Sequence, residues 1–107
     1  MSTPLSTTPA GFKMGVTETL PLGFDTTALL ASGQSPTSPV CVLTNVTTGK
    51  AVTLADSPTI NGNVITQIVR GPTQLVVDDK FVLAVTFTAA ANTIWTMVLV
   101  ITVPAFV

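Results

Sequence analysis

The side chains that usually carry proton transfer or nucleophilic attack are nearly missing from this chain. It has no histidine, no tyrosine and a single cysteine, Cys41, so the usual general bases and nucleophiles are scarce. A lysine could replace them only if it were buried, and Lys13, Lys50 and Lys80 fall at predicted strand edges or turns, where lysines are normally solvated. The sequence therefore predicts a protein that is not an enzyme and has no catalytic residues.

Adjacent carboxylates at Asp78 and Asp79 are a candidate for metal binding. Neighbouring residues of an extended chain point to opposite sides, and Lys80 would oppose a cation. A zinc site would lack ligands in a chain with no histidine, and none of the glycines lies in a phosphate-binding loop context. We therefore predict a solvated turn at these aspartates, no metal site and no cofactor.

Three further residues have both a functional and a structural interpretation. Cys41 lies in an apolar run, which raises the pKa of a thiol and favours an inert core residue. Trp95 could stack on a ligand, but its place in an alternating strand favours the core. Asn45 begins an Asn-X-Thr glycosylation pattern, which means little without a secretory signal.

Charged residues are scarce along the whole chain. They make up 8% of it, with a net charge of −1, where an ordinary soluble domain has about 25%. Four scattered basic residues cannot form the positive track that follows a phosphate backbone, so nucleic acid is not an expected partner. So little charge predicts a surface that another molecule covers in part.

Residues 81–107 carry no charge and are long enough to span a bilayer. Their many β-branched and threonine residues, and the break at 89–92, favour a hairpin over a lipid-exposed helix. We therefore expect no membrane partner. A small membrane-anchored protein is kept as a third functional hypothesis, after the two given at the end of this subsection.

Alternation of apolar and polar residues predicts an all-β fold. The clearest strands are 81–88 and 94–103, whose odd-numbered residues should face the core. The even-numbered face of the second strand is also largely apolar, which predicts that another element or subunit covers it. A first strand should begin at Lys13 and stop at Pro21.

Turn signals divide the chain into about seven short strands. A hairpin is expected from 40–46 to 51–54, and Asn61-Gly62 is a strong turn dipeptide. Such spacing is typical of an antiparallel β-sandwich or barrel. We predict one such domain over residues 13–107, preceded by a flexible N-terminal arm, residues 1–12, which is rich in Ser, Thr and Pro and has no signal-peptide pattern.

Residues 75–85 resemble the corner that enters the sixth strand of an immunoglobulin-like sandwich. A leucine precedes an acidic turn, and an aromatic residue, Phe81, is followed two positions later by Leu83. Phe81 lacks the hydroxyl of a tyrosine corner, Leu83 rules out the inter-sheet disulfide, and Trp95 falls in the last strand instead of the third. The resemblance implies an immunoglobulin-like version of the predicted sandwich.

Over most of its length, about residues 13–103, the chain resembles the small immunoglobulin-like virion accessory proteins of tailed bacteriophages. The shared features are Asp56-Ser57-Pro58 with Asn61-Gly62, the alternating strand after them, and the hairpin of Phe81 and Trp95. The resemblance implies a virion structural protein, made in the host cytoplasm: a capsid decoration (cement) or head-completion subunit that stabilises a particle through its arm and exposed sheet surface. Its partners would be other capsid or tail proteins, in a homo-oligomer or bound to a lattice.

A second alternative is a tail- or fibre-associated recognition module. It would bind a glycan or host surface through loops such as 31–39, although aromatic residues are only 6% of the chain and leave little for sugar stacking.

Overall fold

The computed structural model describes residues 10–27, 30, 34–89 and 93–104. Within them lie eight strands and one short helix, in the order β1 Ala10–Lys13, β2 Thr19–Asp25, β3 Thr37–Asn45, β4 Lys50–Val52, β5 Thr59–Asn61, β6 Val64–Arg70, α1 Gly71–Gln74, β7 Lys80–Thr88 and β8 Ile94–Thr102.

The strands form two sheets. One has five strands in the order β1-β8-β7-β3-β4, and the other has three in the order β2-β6-β5. Every pairing is antiparallel except that of β1 with β8, which is parallel. The inner faces of the two sheets share one hydrophobic core. The predicted all-β sandwich is therefore confirmed, and its immunoglobulin-like character stays a prediction.

β7 shows why this sequence makes a sandwich. Its odd-numbered side chains, Phe81, Leu83, Val85 and Phe87, are all at most 1% exposed, while the residues between them are half-buried. Alternation with a period of two puts one set on each face of the sheet. In β8, Ile101 is fully buried and the earlier odd-numbered residues pack partly buried against the core. The predicted inward face of both strands is confirmed.

Both predicted turns are also confirmed. β3 and β4 form a hairpin whose turn contains Gly49 at φ +74°, and β5 meets β6 across Gly62 at φ +61°. Side chains disfavour this left-handed region, and glycine has no Cβ to oppose it. The two glycines thus fix where these strands reverse.

The first predicted strand is wrong in its end point. Pro21 lies inside β2 and pairs with Ile68 instead of stopping the strand. β2 is the edge of its sheet, with β6 as its one neighbour, and proline is tolerated in an edge strand because the open side needs no hydrogen bond. The expected start at Lys13 also differs, since β2 begins at Thr19 and Lys13 ends β1.

The boundary predicted between arm and domain falls inside β1. Residues 10–12, the last of the predicted arm, pair with β8 from Leu99 onward. Phe12 packs against the core. Residues 1–9 lie outside the described residues.

A tight contact holds the chain between β1 and β2 in place. Met14 is fully buried, and its N–H donates to the Thr102 carbonyl at 3.1 Å. The N–H of Gly71, at the start of α1, donates to the Glu18 carbonyl at 2.7 Å. A Cβ on Gly71 would lie 2.5 Å from the Gly15 carbonyl oxygen, so only glycine fits there.

Candidate interaction surface

The face of the five-stranded sheet that points away from the core has an unusual composition. Cross-strand partners lie on the same face, so the register identifies its members on the three central strands. We call these residues the outer face: Val40, Val42, Thr44, Val82, Ala84, Thr86, Thr88, Ile94, Thr96, Val98, Val100 and Thr102.

The outer face is built from aliphatic residues and threonines. In its middle, Val42, Ala84 and Val98 follow one another across three strands. In the next row, the Oγ1 atoms of Thr86 and Thr96 lie 3.3 Å apart and hydrogen-bond to each other. A sheet face in contact with water normally carries polar and charged side chains, whereas this one combines threonines with apolar residues and has no charged residue among its members.

Several outer-face side chains are strongly exposed. Val40 is 57% exposed, Val42 48% and Ile94 58%. Single exposed apolar residues are common on soluble proteins, but a continuous apolar patch marks an interaction site. Val40 and Val42 are neighbours on one face of β3, and Val42 continues into Ala84 and Val98, whereas the row of Thr86 and Thr96 separates that apolar row from Ile94.

Charge borders the outer face at one end. Lys13 and Lys80 both pair with Thr102, one on each side of it, so the two lysines lie on the same face. Both are exposed. The apolar part of the surface thus has a basic end and an uncharged end, the latter at Thr88 and Ile94.

The predicted turn at the two aspartates is confirmed. Asp78 has a φ of +69°, and the chain turns at this position before β7. The Asp79 carboxylate accepts a hydrogen bond from Asn45 Nδ2 at 2.9 Å, so its role in the structure is to tie the hairpin to β7. Among the described residues, no three His, Cys, Asp or Glu side chains come together in a way that could hold a metal ion.

Asn45 has a structural role in a turn, which its glycosylation pattern does not indicate. Its side chain is 6% exposed, and its Oδ1 accepts a hydrogen bond from the Thr48 N–H at 3.1 Å. Asparagine often stabilises a turn in this way. The Thr-Thr-Gly that follows strand β3 was the signal that could have revealed this role.

Cys41 is half-buried, and burial raises the pKa of its thiol to about 11. It packs against the core, as predicted, without being fully enclosed. Trp95 likewise packs partly buried against the core, opposite Phe87, as expected for a core residue. The three lysines are exposed at strand ends, which matches their predicted positions.

Two grooves run along the open sides between the sheets. One, of about 350 Å³, lies beside β3 and reaches the buried Gln67, whose Nε2 donates to the Asp56 carbonyl at 2.8 Å and whose Oε1 has no hydrogen-bond partner. The Asp56 carboxylate at its rim is bound by Arg70. The other, of about 450 Å³, is lined by apolar residues of β1, β2 and β8.

Comparison with protein-family models, with curated proteins and with solved structures finds no match to the chain. Within the described part of the chain, no helix has the length and apolar character needed to cross a membrane. Of the loop predicted at 31–39, a candidate for glycan recognition, the structure describes residues 34–39, and residues 37–39 belong to strand β3 instead of a loop.

Proposed function

We propose that this protein is a non-enzymatic structural subunit of a virion, and that it joins other subunits by burying apolar sheet surface. The outer face is the observation that carries the proposal, because it is continuous, free of charge between its ends and exposed at Val40, Val42 and Ile94. The choice of a virion is supported by the sequence resemblance of residues 13–103 to small virion accessory proteins.

The free energy of association requires that many outer-face residues be buried at the same time. Fully burying a valine or isoleucine side chain is worth about 1.5–3 kcal/mol, and a half-exposed residue has roughly half of that left to gain. Association costs an estimated 4–15 kcal/mol or more in lost freedom of motion. One or two contacts therefore cannot hold a subunit, whereas simultaneous burial of the patch can.

A matched pair of variants tests this role. Val42→Glu puts a carboxylate on the outer face, and the control Thr59→Glu puts one at an exposed position of β5, on the side of the other sheet that points away from the core. In particles purified from the source of the gene, mass spectrometry should find the wild-type chain and Thr59→Glu in repeated copies. Val42→Glu should be depleted at least tenfold while keeping a native circular dichroism spectrum. Absence of the wild-type chain from particles, or full incorporation of Val42→Glu, would refute the proposal.

The arm is tested separately by removing residues 1–9, which leaves β1 intact. Attachment to particles should weaken, and the melting temperature should stay the same because Phe12 and Met14 keep their contacts with the core. Unchanged occupancy on particles would remove the arm from the docking mechanism.

A further inference from the structure

We propose that the molecule covering the outer face is a second copy of this chain, so that two five-stranded sheets stack face to face about a two-fold axis. This inference rests on the proposed function, since it names the partner that buries the apolar surface. It is carried by the size of the surface, its chemistry and the position of its charges.

The outer face has enough surface area for a dimer interface only if nearly all of it is buried. β7 and β8 are nine residues long, and the sheet has five strands, two of them short. At about 3.3 Å per residue and about 4.8 Å between strands, the face projects to roughly 500 Å². A standard interface buries about 800 Å² of accessible surface per partner, and the accessible surface of a corrugated face exceeds its projection. The same face of a second copy has the matching outline.

The chemistry of the face is self-complementary. Its central row, Val42, Ala84 and Val98, presents the small Ala84 between two valines, which lets another sheet approach to the usual stacking distance of about 10 Å. The hydroxyls of Thr86 and Thr96 bond to each other, which lowers the cost of covering this pair. The middle of the face carries no charge, so a second copy covers this part without removing water from a charged group.

The two lysines determine how the copies are oriented. If the two-fold axis runs across the strands, Lys13 and Lys80 of each copy lie over the uncharged end of the other, near Thr88 and Ile94. An axis along the strands would instead bring both charged ends together, with four ammonium groups and the nearby carboxylates of Asp78 and Asp79. The first arrangement is an isologous dimer with antiparallel sheets and with Ala84 close to the axis.

The oligomeric state tests the inference directly. The full chain, measured from 1 to 100 µM by size-exclusion chromatography with light scattering, should have twice its 11.0 kDa mass. Val42→Glu and Val98→Glu should elute at the monomer mass with native circular dichroism spectra, and the control Thr59→Glu, at an exposed position of the other sheet, should remain dimeric. A wild-type monomer at 100 µM, an open-ended series of larger species, or dimeric outer-face variants would overturn the proposal. A monomer would assign the outer face to a different protein.

Cross-linking tests the orientation in a Cys41→Ser background. A bismaleimide spanning about 10 Å should join two copies of Ala84→Cys, because stacked sheets lie about 10 Å apart. Ile94→Cys should not react across the dimer, because an axis across the strands separates its copies by roughly 25–30 Å, from four residues on each side at about 3.3 Å each and the sheet separation. Cross-linking of Ile94→Cys as readily as Ala84→Cys would contradict the antiparallel arrangement, and Cys41→Ser alone gives the background.

The two proposals fail in different ways. If the chain is monomeric but Val42→Glu is lost from particles, the structural role stands and the second copy is excluded. If the chain is a dimer through this face but is missing from particles, the dimer stands and the virion role is excluded.

Discussion

The two faces of β7 differ in what they contact. Phe81, Leu83 and Val85 are fully buried between the sheets, while Val82 and Ala84, on the same strand, are half-buried on the outer face. Both sets are largely apolar, but among the described residues only the odd-numbered set packs into the core between the sheets. If the even-numbered set forms the proposed interface, substitutions on the two faces should have separable effects on folding and on assembly.

The largest expected effect comes from Phe81→Ala on the buried face. Phe81 is 0% exposed, and truncating a buried phenylalanine costs about 3–5 kcal/mol because it removes apolar contacts and leaves a cavity. Urea denaturation should show this loss in the free energy of unfolding. A loss below about 1 kcal/mol would mean that the core repacks around the site, a result typical of a loosely packed interior.

Gly71→Ala should destabilise the fold without changing either face of β7. The new methyl carbon would lie 2.5 Å from the Gly15 carbonyl oxygen and 2.6 Å from that of Glu18, both in the backbone. Overpacking of this kind costs about 1–3 kcal/mol. Gly23→Ala is the matched control, because its Cβ would meet only a Val64 methyl group at 3.3 Å. Equal unfolding midpoints for the two variants would contradict the tight contact.

A matched substitution on the two faces sharpens the comparison. Val85→Thr buries a hydroxyl with no partner and should cost about 1–3 kcal/mol. Val40→Thr, at a position that is 57% exposed, should change the free energy of unfolding by no more than about 0.5 kcal/mol. Both should be measured in the Val98→Glu background, so that self-association does not contribute. Equal costs would show that the outer face also takes part in folding.

The smallest expected effect is a change in how strongly acidic pH lowers the melting temperature. The hydrogen bond from Arg70 lowers the pKa of Asp56 below 3.8, and hydrogen bonds from Thr27 lower the pKa of Asp25. Since each folded pKa lies below the unfolded value, their stabilisation is present above pH 4 and is lost as the pH falls through the folded pKa. Melting temperatures between pH 6 and pH 2 should therefore fall less in Asp56→Asn than in the wild type. An identical decline would mean that the exposed ion pair contributes nothing measurable.

Local sequence signals predicted much of the fold because they act over a few residues. Alternation located β7 and β8, and Gly49 and Gly62 located two turns, since each depends on the backbone of its own segment. The strand end predicted at Pro21 is wrong because a strand accepts proline when it lies at the edge of its sheet. The edge position of β2 is a property of the whole sheet. The parallel pairing of β1 with β8 joins distant segments and leaves no local pattern.

The outer face could be predicted only in part. The apolar even-numbered residues of β8, such as Val98 and Val100, indicated a covered surface from the sequence alone. Val40 and Val42 extend the outer face across β3. This follows from the register of β3 with β7, which the sequence does not encode locally. The lysine pair likewise becomes one feature only because Lys13 and Lys80 pair with opposite sides of Thr102.

The pairing of β1 with β8 has a consequence for biosynthesis. β1 is the first described strand to leave the ribosome and β8 is the last, so the parallel edge of the sheet stays open until translation has passed Thr102. Until then Met14 and Phe12 lack the strand they pack beside, and contacts between such distant segments form slowly. The nascent chain therefore exposes Phe12 and Met14 until β8 has been synthesised, a state in which apolar surface is open to aggregation.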